Sequence, residues 1–273
     1  MKRHRWYSML SRRRFIALLT DFGHQDHYSG TVKGVIWSIN PRVQIADICH
    51  GVAPQNFRQA GYLLWAAYRY FPKGTIFLSI VDPGVGTERR ILVVRSAGKL
   101  FVAPANGLLD LVLADEPDAE CIEVGDRAIR ELALESISTT FHGRDILAPL
   151  AAHLSLGMDP ERLGDKVTHS PAGDAFLSSS SGGRRALVLH VDRFGNLITN
   201  IRMGGARGAG ARPKTLRLKR RTIARWAASY QEAPEKTPCL MLGSSGLVEI
   251  AVKNGNASRM LGADAGMPLK VNW

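Results

Sequence analysis

The chain has 273 residues, 45% hydrophobic and 22% charged, which is enough for a large core without a disulfide or metal staple. Its three cysteines, Cys49, Cys121 and Cys239, are far apart and form no CxxC pair, which excludes a small disulfide-built scaffold. The net charge of +12 resides in two stretches: residues 1–14 hold six Lys or Arg and residues 202–225 hold nine, neither with an acid, so the rest of the chain is mildly acidic.

Residues 1–14 read as a basic tail. A solvated basic stretch and a site for RNA or another anionic partner both fit such a composition. The solvated reading is taken for both stretches, so no nucleic-acid partner is expected. The apolar run that follows, Phe15–Leu19, is too short for a signal-peptide core or a membrane span, and Asp21 ends it. A cytoplasmic protein with no membrane partner is expected.

From residue 15 to 170 the pattern is an α/β domain. Phe15–Thr20 reads as a strand, and Tyr28–Ile39 as a helix through Val32, Val35, Ile36 and Ile39. Val43–Ile48 is strand-like, Phe57–Tyr70 helical, and Thr75–Val81, Ile91–Arg95 and Phe101–Ala103 are strands. Gly107–Leu113 reads as a short helix and Asp145–Leu156 as a further amphipathic one. Strands alternating with helices predict βαβ units and a mostly parallel sheet.

Residues 171–185, rich in Ser, Gly and Pro, read as a linker. Beyond it, Ala186–Val191, Leu197–Ile201, Thr215–Leu218, Cys239–Leu242, Leu247–Val252 and Leu269–Asn272 are short, β-prone and separated by Gly and Asn turns. Residues 186–273 therefore read as a small all-β barrel or sandwich domain.

Four segments place polar side chains where this pattern puts turns. Asp21 directly follows the first strand, where open α/β sheets bind ligands; it suits a vicinal diol such as ribose, or a helix cap. Asp26, His27 and Tyr28 follow at the helix start, where free N–H groups favour anionic ligand groups. In the second segment, Val81-Asp82-Pro83-Gly84-Val85-Gly86-Thr87-Glu88-Arg89-Arg90, two glycines and a proline make a tight loop. Asp82 and Arg89 can meet across it, as a structural pair or a catalytic one. The third, Thr140-Phe141-His142-Gly143-Arg144-Asp145, places an imidazole beside a glycine at a helix start. In the β domain, Asp192-Arg193-Phe194-Gly195-Asn196 reads as a turn, as does Gly243-Ser244-Ser245-Gly246, and Asn256-Ala257 as a further one. Glu249 sits inside an apolar run, where a charge requires an edge, a partner or a ligand. No histidine spacing of the zinc type is present, and no metal is expected.

In this order, the segments DPGVGTERR, FHGRD, DRFGN and the Ser-Gly turn with LVEIA resemble the S-adenosyl-L-methionine (SAM) hydroxide adenosyltransferase family, the SAM hydrolases, which are related to the SAM-dependent fluorinating and chlorinating enzymes. The resemblance spans about residues 15–265. It implies a Rossmann-like N-terminal domain, a β-barrel C-terminal domain, and a homotrimer with its ligand between one subunit's N-terminal domain and a neighbour's C-terminal domain. It implies hydrolysis of SAM to adenosine and methionine, with SAM as substrate and no cofactor.

By position, the resemblance puts the catalytic set on Asp82, Arg89 and His142. Asp21 is implied to hold the ribose hydroxyls, with Asp26, His27, Tyr28 and Phe141 nearby in the substrate site. Asp192 and Asn196 are implied to hold the methionine part and the adenine, with Phe194 packing beside them. Ser244, Ser245 and Glu249 fall on the amino-acid-binding turn and its neighbouring strand, and Asn256 and Ala257 on the adenine edge. The halogenases usually lack the Asp and Arg of this set, which favours water as nucleophile. Three departures stand out: Gln55 replaces a Trp of the fluorinating enzymes, Ala105 replaces an Asp common among the hydrolases, and the basic insertion 202–225 is atypical.

Overall fold

Residues 15–20 (FIALLT) are apolar almost throughout, and such a run suits a central strand covered on both faces. In the computed structural model, which describes residues 15–169, 175–177, 185–203 and 211–273, this run is β1 (Phe15–Thr20), with Ile16 to Thr20 fully buried. The chain divides into two compact units, Met1–Pro171 and Ala172–Trp273. The expected basic tail, most of the expected linker and residues 204–210 lie outside the described residues.

In the first unit, β1 runs through α1 (Tyr28–Ile39) to β2 (Gln44–Cys49), and then through α2 (Phe57–Ala67) to β3 (Ile76–Ile80). β2 and β3 both pair parallel with β1. There follow β4 (Ile91–Ser96), β5 (Lys99–Pro104), α3 (Asp110–Asp115), β6 (Glu120–Val124) and α4 (Asp126–Leu132). A π-helical turn (Gly143–Leu147) runs into α5 (Ala148–Ser155), and β7 (Gly164–Val167) closes the unit.

The sheet order is β2-β1-β3-β5-β4-β6-β7. The expectation of a mostly parallel sheet holds only from β2 to β5, because β4 pairs antiparallel with β5 and β6, and β6 with β7. The cause is local. Ala97 (φ 49) and Gly98 (φ 72) are both left-handed, which is the two-residue hairpin turn whose twist matches antiparallel strands. The side chains of β1 and β3 alternate between two layers. Ile16, Leu18, Ile76, Leu78 and Ile80 share a core with Val32 and Ile36 of α1 and with Leu147, Leu150 and Ala151. Phe77 instead stacks on Phe101, whose ring meets Tyr68.

The second unit is β8 (Ala186–Val191), β9 (Leu197–Arg202), β10 (Thr215–Leu218), β11 (Arg221–Ile223), β12 (Pro238–Leu242), β13 (Leu247–Val252), α6 (Ala257–Leu261) and β14 (Pro268–Asn272). Its seven strands lie in the order β11-β10-β14-β8-β9-β13-β12, antiparallel throughout. Just past β11, Arg225 O accepts from Leu240 N and Ala227 N donates to Leu240 O, so the chain leaving one edge pairs with the strand at the other. The sheet is thereby nearly closed and barrel-like, around Val188, Leu197, Leu216, Leu240, Val248 and Ile250. The strand read at Thr215–Leu218 within the basic stretch is β10, which pairs with β11 in a hairpin of this sheet. One reading changes here: Asn256-Ala257 is a helix start, with the Asn256 side chain capping Arg259 N at 2.7 Å.

Candidate active site

Parallel pairing places the carboxyl ends of β1 and β3 side by side. Thr20 and Ile80 are register partners, so the chain leaves the sheet toward Asp21 and toward Val81-Asp82 from adjacent positions. A site at this end of such strands is where an open α/β sheet has room for a ligand.

Asp82 and Arg89 meet across their loop. Arg89 Nε donates to Oδ1 at 2.7 Å and Oδ2 at 2.6 Å, and both side chains are nearly buried. The loop folds back because Gly86 takes φ +80 and lies so close to Thr139 that a Cβ would come within 2.3 Å of its carbonyl oxygen. That contact also ties the loop to the segment carrying His142. Gly143 in turn packs on Ile80, where a Cβ would meet the side chain at 2.8 Å.

His142 is electrostatically coupled to both members of the pair. Burial first, and the Arg89 charge second, hold its pKa below the ordinary imidazole value, against the opposing pull of Asp82 and Asp145. Its Nδ1 is buried without a hydrogen-bond partner. Arg89 Nη2 lies against the Asp82 carboxylate. Asp145 is a structural acid: fully buried, it accepts from Ser138 N at 2.8 Å and pairs with Arg144.

Asp21 accepts from Gln55 N at 2.7 Å. Gln55 holds a left-handed backbone (φ 63) to present that N–H, a role the sequence does not reveal. Phe22, Tyr28 and Phe141 form a triangle of ring contacts with centroids 5.3 to 5.7 Å apart, which joins the turn after β1, the start of α1 and the His142 segment. His27 lies against Tyr28 and its Nδ1 is 3.0 Å from Thr31 Oγ1. Asp26 is exposed. The first unit thus gathers Asp21, Tyr28, Asp82, Arg89, Phe141 and His142 around the ends of two strands.

The second unit gathers its own set. Asp192 Oδ1 accepts from Phe194 N at 2.9 Å and Asn196 N at 2.8 Å, and Oδ2 accepts from Asn196 Nδ2 at 2.8 Å. Gly195 lets the Asn256 side chain lie against this turn, since any Cβ there would collide with it. Asn196 Nδ2 also donates to the Tyr230 hydroxyl at 3.2 Å, and that hydroxyl donates to Glu249 Oε2 at 3.2 Å. Sequence reasoning missed Tyr230, which lies in an aperiodic exposed loop. Burial pushes the Glu249 carboxyl above its ordinary pKa, while burial and Glu249 push Tyr230 up to about 12.

The Glu249 carboxylate also packs so close to Gly243 that a Cβ at that position would displace it. Ser245 Oγ is buried without a partner and Ser244 is exposed. Ala257, expected at the adenine edge, is fully buried in the barrel core and exposes neither side chain nor main chain. A cleft of about 690 Å³ is lined by Asp192, Phe194, Asn196, Tyr230 and Lys253, with Phe194 exposed at its rim. Among the described residues, no group of three or more His, Cys, Asp or Glu side chains is placed to hold a metal ion.

These features define a chain of two units. One is α/β with an acid, a guanidinium and an imidazole at its strand ends; the other is antiparallel and barrel-like with an acid–amide turn over a cleft. Residues 16–164 match the SAM hydroxide adenosyltransferase N-terminal domain and residues 186–270 match its C-terminal domain. The chain belongs to the SAM hydroxide adenosyltransferase family. It is 38% identical over 264 residues to the (R)-S-adenosyl-L-methionine hydrolase of Thermus thermophilus, covering 94% of this chain and 98% of that one. A fluorinase of Actinopolyspora mzabensis is 29% identical over 226 residues, covering 72% and 75%. Among solved structures, an uncharacterized conserved protein from Thermotoga maritima is similar with TM-score 0.78 at 34% identity, over 94% of this chain and all of that one.

Proposed function

We propose that this chain hydrolyses S-adenosyl-L-methionine to adenosine and L-methionine by attack of water on the ribose 5′ carbon. The water oxygen forms a bond to C5′ as the C5′–S bond breaks, its electron pair returns to sulfur, and one proton leaves the water. Sulfonium departs as a neutral thioether, so the reaction needs neither a general acid nor a cofactor. What remains is to hold one water in line and take its proton.

The observation that carries this reading is the nearly buried Asp82–Arg89 ion pair with the His142 imidazole electrostatically linked to both members, its buried Nδ1 lacking a hydrogen-bond partner of good geometry. Buried polar atoms are costly when unpaired, and a bound water or substrate oxygen is the partner that would satisfy them. Asp82 accepts a hydrogen bond from the water, Arg89 stabilises its hydroxide-like character, and His142, neutral at pH 7, takes the proton. Asp21 holds the ribose hydroxyls, with Tyr28 and Phe141 beside the nucleoside. Asp192, Asn196, Glu249 and the Ser244–Ser245 turn hold the amino-acid and adenine ends.

The methionine α-carbon is already fixed by the L prefix, so the R in the name of the Thermus relative refers to the sulfonium, and we take the R epimer as the substrate here. The family resemblance supports a Rossmann-like first domain (15–170), a linker (171–185), a barrel domain (186–273), and a cytoplasmic homotrimer whose site is shared between neighbouring subunits. A second reading, halogenation, is favoured only by the fluorinase similarity. Purified chain incubated with each sulfur epimer of SAM, with and without fluoride or chloride, separates the two. The proposal predicts adenosine and methionine from the R epimer regardless of halide. A 5′-halogenated nucleoside, or no cleavage of either epimer, would overturn it.

A further inference from the structure

One buried polar chain beside the site is unused by this mechanism. Thr20, the last residue of β1, is fully buried, and its Oγ1 lies 2.8 Å from Nδ1 of His50, which is 2% exposed. The His50 ring reaches that position because the β1–β2 register shifts: Leu18 pairs with Asp47, but Leu19 pairs with Cys49. The extra residue moves His50 up beside Thr20.

The connections around Asp21 converge on this histidine. Phe22 N donates to Thr20 Oγ1 at 3.2 Å, and Gly23 N donates to the His50 carbonyl at 2.7 Å. The residues on either side of Asp21 are thus tied, directly or through one hydroxyl, to His50. The Asp21 carboxylate itself accepts from Gln55 N, in the same loop after β2. Behind the ring, Asp47 Oδ1 lies 3.1 Å from Nε2, outside good hydrogen-bond alignment, and Asp47 is fixed by Lys33 at 2.7 Å.

The network assigns the tautomer. The Asp47 carboxylate beside Nε2 favours the ring proton on that nitrogen, which leaves Nδ1 as the acceptor of the Thr20 O–H while the Thr20 oxygen accepts from Phe22 N. A buried Thr–His contact costs desolvation that two apolar side chains would avoid, and what it provides is direction.

We propose that His50, acting through Thr20 and its own carbonyl, is a positioning residue that aims the Asp21 carboxylate at the two ribose hydroxyls. This rests on the reading of Asp21 as the ribose acceptor, so the test must keep the two ideas apart. Equilibrium binding of adenosine and of 2′,3′-dideoxyadenosine to the intact chain does so.

The wild-type chain should prefer adenosine. His50→Leu should weaken adenosine binding about tenfold and leave the dideoxy analogue nearly unchanged. His50→Asn, whose amide oxygen can replace Nδ1 as acceptor, should keep most of the preference. Thr20→Val should lose it with little change of shape, and so serves if His50→Leu does not fold. In an Asp21→Ala background, His50→Leu should add nothing. Equal weakening of both nucleosides, or an intact preference in His50→Leu and Thr20→Val, would overturn the proposal. A wild-type chain with no preference would overturn the ribose reading instead.

Discussion

At Arg89 one side chain grips the Asp82 carboxylate through both Nε and Nη2. Removing the guanidinium leaves Asp82 unpaired and the water unoriented. Arg89→Ala and Asp82→Ala should each lower kcat at least about a hundredfold while substrate affinity changes far less; single-turnover assays with separately measured Kd check this. His142 has a depressed pKa, so its imidazole stays neutral at pH 7 and takes up a proton only below the ordinary value near 6.5. A neutral base is the active form, so kcat/KM should fall as pH drops through that lowered pKa, and His142→Gln should abolish this acid limb as well as most of the rate. The unfolded chain takes the proton first, so His142 also contributes stability that is lost as pH falls below about 6.5. Asp21, Asp82 and His142 stood out in the sequence because each follows a strand or opens a helix, and Arg89 because it faces Asp82 across a glycine-rich loop; their roles came from the family resemblance alone. Tyr230, Gln55 and His50 did not: Tyr230 lies in an aperiodic loop, Gln55 acts through its main chain, and His50 reaches Thr20 only through a register shift.

At the scale of elements, close backbone contacts position the catalytic groups. Gly86 joins the Asp82–Arg89 loop to Thr139 in a left-handed conformation. Gly86→Ala should cost about 1–3 kcal/mol, read as a lower Tm, and should reduce activity by more than the stability loss explains. Glu249, in the middle of β13, presents the opposite balance. Its raised pKa means that ionising it costs stability above the unfolded value, a cost relieved as pH falls toward that value. Glu249→Gln should therefore raise Tm at pH 7, flatten its dependence on mildly acidic pH, and weaken substrate binding; thermal melts across pH beside a Kd measurement show whether the trade is real. The same scale explains which elements could be read in advance. α1 and the buried strands β1, β8 and β13 carry strong periodic or continuous apolar signals. β7 (GDKV) and β11 (RTI) are short and largely exposed, so only their ladders identify them. The π-helical turn at Gly143–Leu147 has no sequence signature of its own.

Across the whole molecule, each unit holds a core and a polar cluster of its own: Asp82, Arg89 and His142 in one, the Asp192–Asn196 turn and its cleft in the other. The proposed function includes a trimer whose subunits share the site. Sedimentation or light scattering should then find a particle three times the 29.9 kDa chain mass, and dilution into monomers should abolish turnover. The central claim concerns the origin of one oxygen atom. Run in ¹⁸O-labelled water with unlabelled SAM, the reaction should yield adenosine carrying one heavy oxygen at the 5′ position and methionine carrying none. Adenosine with unlabelled 5′ oxygen, or label in methionine alone, would contradict attack by water at C5′.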